Sequence, residues 1–123
     1  VLGTTVGFEA IYVSTTRENV HQVQEAVSEE IKKLQTGNIS FKALNDAKTY
    51  LVGTHKIGLQ TLSGFSKEVA LNELYGLGFA NYLKYDSKID QVTREDVRDI
   101  ARRYLDLEMA AIVVTMPNVK QNN

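Results

Sequence analysis

Met109-Ala110-Ala111-Ile112-Val113-Val114-Thr115-Met116 is an almost unbroken apolar run of the length that a doubly covered strand takes. It is far short of the roughly 18–20 apolar residues of a membrane span. Near the other end, Gly7-Phe8-Glu9-Ala10-Ile11-Tyr12-Val13-Ser14-Thr15 alternates and is rich in β-formers. Phe8, Ala10 and Tyr12 share one face; Glu9, Ile11 and Val13 share the other, which the charge keeps partly in water. Leu2 to Val6 extend this strand or lead into it. Roughly ninety residues with helical patterning separate the two runs. Two strands alone make no sheet with a covered core. The layout therefore predicts a helix-rich α+β piece: an N-terminal strand, four to five helices and a C-terminal strand, all within one partial domain over residues 1–123.

At 123 residues the chain has room for one domain or less. A net charge of −1 gives no broad electrostatic argument for nucleic acid or an acidic membrane. With no cysteine, disulfides and thiolate chemistry are excluded. Neither a signal peptide nor a membrane span is visible in the sequence. The first residue is Val1, which suggests an excised domain or a piece of a longer chain. Pro117 lies beyond the last strand, and Lys120-Gln121-Asn122-Asn123 looks like a frayed polar end.

Between the strands, the helix signals come in order. Thr15 and Glu18 have capping-box spacing, and Val20, Val23, Val27, Ile31 and Leu34 form an apolar stripe for a helix to about Gln35. Gly37 stands where a left-handed C-cap belongs, with Lys32 and Lys33 in the last turns. Ser40 is the N-cap of a second helix, about Phe41 to Lys56, striped by Leu44, Ala47, Leu51 and His55. Gly53 inside it suggests a close helix crossing, and Gly58 marks its end. A third helix spans Leu62 to Leu74, apolar on more than one side and so expected to be buried on two. After Gly76 and Gly78, a short helix is expected from Phe79 to about Tyr85, with Phe79, Tyr82 and Leu83 inward. Thr93 and Asp96 then cap a last helix striped by Val97, Ile100, Ala101 and Tyr104 and closed by Arg102 and Arg103.

None of the polar residues makes a catalytic constellation. A catalytic zinc takes three protein ligands, and the chain has two histidines and no cysteine. His21 is followed by Gln-Val-Gln-Glu and His55 by Lys-Ile-Gly-Leu, so neither zinc-protease spacing occurs. His55 is best explained as a helix-face histidine with a hydrogen-bond partner, and His21 as exposed. Arg102 and Arg103 sit where a helix C-terminus favours cations. Glu29-Glu30 and Glu95-Asp96 diverge by about 100° on a helix and do not converge on one proton. The glycines lack phosphate-loop spacing. Tyr75, Phe79, Tyr82 and Tyr85 lack the basic groove that base stacking requires, and suit core packing. Asn38-Ile39-Ser40 matches a glycosylation sequon, but Ser40 already has a role as a cap.

Several segments taken together resemble one family. The strand Gly7–Thr15 leads into Arg17-Glu18-Asn19-Val20. Ile39-Ser40 precedes Ala47-Lys48-Thr49-Tyr50-Leu51-Val52-Gly53. Val92-Thr93-Arg94-Glu95-Asp96-Val97 is followed by Ala101-Arg102-Arg103-Tyr104-Leu105 and a strand ending near Pro117. This order resembles the C-terminal portion of a domain of the pitrilysin/insulinase zinc metallopeptidases, which include the mitochondrial processing peptidases. The resemblance implies a mostly antiparallel sheet covered by helices, of which this chain holds part. It further implies a non-catalytic domain that closes with a zinc-bearing catalytic domain, on the same or another chain, around an unfolded peptide. Because the family's His-x-x-Glu-His motif is absent, no catalytic, metal or cofactor residue is assigned here, and zinc is expected only on the partner domain. The substrate-binding residues are unknown. The aromatic run from Leu74 to Tyr85 is typical of bacterial members, pointing to a bacterial periplasm or cytoplasm. Exposed sheet edges predict self-association of the chain. The rival expectation is a small helical interaction or regulatory module with no peptidase role.

Overall fold

A computed structural model describes residues 9–116. Among the described residues there is no strand: five α-helices and three short 3₁₀ helices make up the regular structure. The expected α+β fold and its antiparallel sheet are corrected by this finding. Residues 9–15 and 110–116 carry the alternation and apolar run of strands, yet among the described residues no backbone ladder joins them to another segment; the Ala110 amide donates only locally, to the Leu107 carbonyl at 3.3 Å. A strand exists only through its ladder, so strand-like side chains alone leave these segments irregular. Met109 falls in a 3₁₀ helix, Leu107–Met109, whose start Asp106 caps by accepting from the Glu108 amide. The expectations for Val1 to Phe8 and for Pro117 onward lie outside the described residues.

The helices form largely where local chemistry demands. A 3₁₀ turn, Arg17–Asn19, precedes α1, Val20–Thr36. Thr16 takes the N-cap position of that turn without a side-chain cap bond, so the capping box expected from Thr15 and Glu18 does not form. Gly37 ends α1 at φ 73°, its amide donating to the Leu34 carbonyl at 3.0 Å and the Asn38 amide to the Lys33 carbonyl at 2.9 Å. Helix α2, Phe41–Gly58, starts at Ser40, whose hydroxyl accepts from the Ala43 amide at 3.0 Å. Thr61 does the same for α3, Leu62–Leu74, accepting from Gly64. Beyond Gly76 and Gly78, both at positive φ, a 3₁₀ helix Phe79–Lys84 runs into α4, Tyr85–Gln91. Helix α5, Arg94–Tyr104, opens on a complete capping box between Thr93 and Asp96.

Packing divides between two groups of elements. Helices α1 and α5 lie together, and they carry the two buried apolar residues among those described, Ile31 and Ala101. Gln35 Nε2 donates to the Leu105 carbonyl at 2.7 Å, and Arg102 Nε donates to the Gln35 carbonyl at 2.6 Å. Helix α2 packs on α4, tied by Lys56–Asp86 at 2.8 Å and by Lys48 Nζ donating to the Asp90 carbonyl at 2.7 Å. Helix α3 packs on the 3₁₀ helix Phe79–Lys84. Arg94 bridges the groups, its guanidinium 4.0 Å above the Phe41 ring and donating to the Ile39 carbonyl.

The interior is thin. Leu62 is 83% exposed and Leu74 66%, so α3 is not covered on two sides as its sequence suggests. Its buried residue is instead a polar one, Asn72. Phe79 and Leu83, expected inward, are exposed; Tyr82 is half-buried, edge-on to Phe65. A Cβ at Gly53 would meet nothing within 4 Å, so no helix crosses closely there. The accessible surface is 10406 Å² for a 13.8 kDa chain. A compact monomer of that mass exposes about 6,600 Å². Exposed apolar residues on the helices and on the two extended segments contribute to that excess.

Candidate functional site

Two hollows lie along the open faces. The larger, of about 600 Å³, lies between the α1 stripe and the extended segments 11–16 and 110–116. Val20, Val23, Val27 and Ile31 face it from α1, Ile11 and Val13 from one extended segment, Ile112 and Val114 from the other. The apolar spacing that predicts the α1 stripe thus places it correctly, but against an opening in which Val113 is 85% exposed. A second hollow, of about 480 Å³, is lined by Leu34 and by Val97, Ile100 and Tyr104 of α5. Glu9 enters its rim. Neither hollow gathers acids, bases and nucleophiles in the way that chemistry at a bond requires. Both offer apolar area, which suits a covering polypeptide.

Of the charged residues and histidines singled out from the sequence, Asp96 lines the second hollow, whereas His21, His55, Glu29, Glu30, Glu95, Arg102 and Arg103 line neither. His21 is exposed and 3.5 Å from Glu25. Glu30 pairs with Lys33 at 2.6 Å, and this hydrogen bond holds the lysine above its ordinary pKa. Glu95 and Asp96 do not converge: Asp96 Oδ2 accepts from the Thr93 hydroxyl at 2.7 Å and the Thr93 amide at 2.9 Å. Those two bonds, the side-chain one foremost, hold its carboxyl below the usual carboxylate range. Arg103 lies 5.2 Å from the ring of Tyr104. Asn38 is exposed in the α1–α2 connection, and the Ser40 hydroxyl is engaged as the α2 cap.

His55 departs from its expected hydrogen-bonded state. Its side chain is 11% exposed, and Nε2 is buried without a hydrogen-bond partner. The ring stacks on Tyr85 with centroids 3.9 Å apart, and Glu68 Oε1 lies 3.7 Å from Nε2. Glu68 also accepts from Asn72 at 3.2 Å; Asn81 donates to Asn72 Oδ1 at 3.1 Å, and Lys88 to Asn81 at 2.7 Å. Sequence reasoning missed this chain of polar groups. Asn72 and Asn81 are nine residues apart, and only the glycine-rich turn between α3 and the 3₁₀ helix brings them together. Among the described residues, no group of three or more His, Cys, Asp or Glu could hold a metal ion. No helix among them is long and apolar enough to cross a membrane.

Comparison with known proteins returns no matching family model, no matching curated protein and no matching solved structure.

Proposed function

We propose that the chain is a non-catalytic, wall-forming part of a zinc metallopeptidase of the pitrilysin/insulinase type. In this reading it supports the binding of unfolded peptides, and zinc resides on a partner catalytic domain of the same or another chain. The order of sequence segments supplies the family. The observation carrying the structural role is the apolar hollow between α1 and the two extended ends, which calls for covering polypeptide and holds no reactive constellation. Self-association follows from the same open faces, with no sheet edge involved.

The expected test outcome is specific. A photo-cross-linking residue at Val27 or Val113, in the cells that make the protein, should join the hollow to a polypeptide bearing His-x-x-Glu-His. Zinc-dependent peptide cleavage by the purified chain alone would overturn the reading. Cross-linking to polypeptides that lack that motif would favour a second reading, a helical interaction module. The wholly helical character of the described regular structure is the observation on that module's side.

A further inference from the structure

We propose that His55 and Glu68 form a proton-strengthened clasp between α2 and α3, independent of any peptidase role. The starting observation is a buried ring nitrogen with no partner, 3.7 Å from a carboxylate oxygen. Stacking on Tyr85 fixes the plane of the ring, so Nε2 keeps facing Glu68. The carboxylate is fixed in turn by Asn72, which Asn81 and then Lys88 support. Among the described residues, α2 and α3 share little other packing, whereas α2 is well held to α4 and α3 to the 3₁₀ helix. A change at this one pair is therefore felt where α2 and α3 meet.

The charges around the ring come from each neighbouring element. Glu68 faces it from α3 and the phenol of Tyr85 from α4. Lys56 and Asp86, one residue along from His55 and Tyr85, neutralise each other across α2 and α4 at 2.8 Å. Glu68 is thus the charged group 3.7 Å from Nε2. With a neutral ring whose Nε2 lacks a proton, nitrogen lone pair and carboxylate oppose one another. A proton on Nε2 converts the same geometry into a charge-assisted donor–acceptor pair. Histidine is the residue type whose charge changes between about pH 5 and 8. Coupling between the two side chains then grows on acidification.

The test is amide hydrogen exchange of the full 123-residue chain at pH 7.5 and pH 5.5. Wild type, Glu68→Gln, His55→Phe and the double variant are compared. Gln keeps an oxygen for Asn72, and Phe keeps a ring for Tyr85. In wild type, Glu68→Gln should lower protection of the α2 and α3 amides at least about threefold more at pH 5.5 than at pH 7.5, the range of a modest ion pair. In the His55→Phe background that extra loss should vanish. The same loss at both pH values, or an extra loss that survives His55→Phe, would overturn the clasp. So would α2 and α3 amides that are unprotected in wild type at both pH values. Should His55→Phe not fold, the wild-type and Glu68→Gln pair decides alone.

Discussion

Ser40, Thr61 and Thr93 each open a helix by accepting a backbone amide three residues ahead. Removing such a cap costs about 1 kcal/mol, so Ser40→Ala should lower the urea midpoint of α2 helicity by that equivalent. At the other end of α1, Gly37 holds a φ of 73°, and an added Cβ would approach Arg98 Cδ at 3.3 Å. Gly37→Ala should therefore cost about 1 kcal/mol or more, read in the same experiment. Asp96 contributes a pH dependence of known sign. Its carboxyl is held low by Thr93, so its stabilisation is present above the ordinary carboxylate range and is lost as pH falls through the folded value. Because the site is exposed, the effect is small. A carboxyl titration by NMR should show Asp96 titrating lower in wild type than in Thr93→Ala. Ser40, Gly37, Thr93 and Asp96 were legible in the sequence because each acts within four residues. His55 was not, because its surroundings come from α3 and α4.

Helix patterning reveals which face of an element is apolar, and nothing about whether anything lies against it. This is why α1 and α5 were legible as elements, with Leu62–Leu74 matching the bounds of α3, while the two-sided burial expected of α3 was misjudged. The two end segments show the same limit from the strand side. Residues 110–116 have the side chains of a strand but no ladder among the described residues. Helix α4 was missed because Tyr85–Gln91 has a single aliphatic residue, Ile89, and so no apolar stripe. Buried polar contacts decide the α3 region instead. Asn72→Leu should cost about 1–3 kcal/mol, since Asn81 and Glu68 would lose a buried partner. A thermal melt monitored at the α3 amides would check it, and no loss there would show that the polar chain is incidental.

Across the whole molecule, the shortage of interior outweighs the local order. Ile31 and Ala101 are the buried apolar residues among those described, against exposed Ile11, Tyr12, Ile112 and Val113 at the larger hollow. Hydrophobic burial is the main term opposing chain entropy, and the described residues supply little of it, which is what the proposed dependence on a covering partner rests on. Tyr12→Asp with Val113→Asp should reduce self-association in sedimentation while leaving helix content unchanged, because neither residue is in a helix. The most direct test is calorimetry of the isolated 123-residue chain. A self-sufficient domain of this length would unfold in one sharp transition with roughly 80 kcal/mol of enthalpy. Dependence on a partner predicts a broad transition well below that value, and a sharp two-state melt of the dilute monomer at the full enthalpy would contradict it.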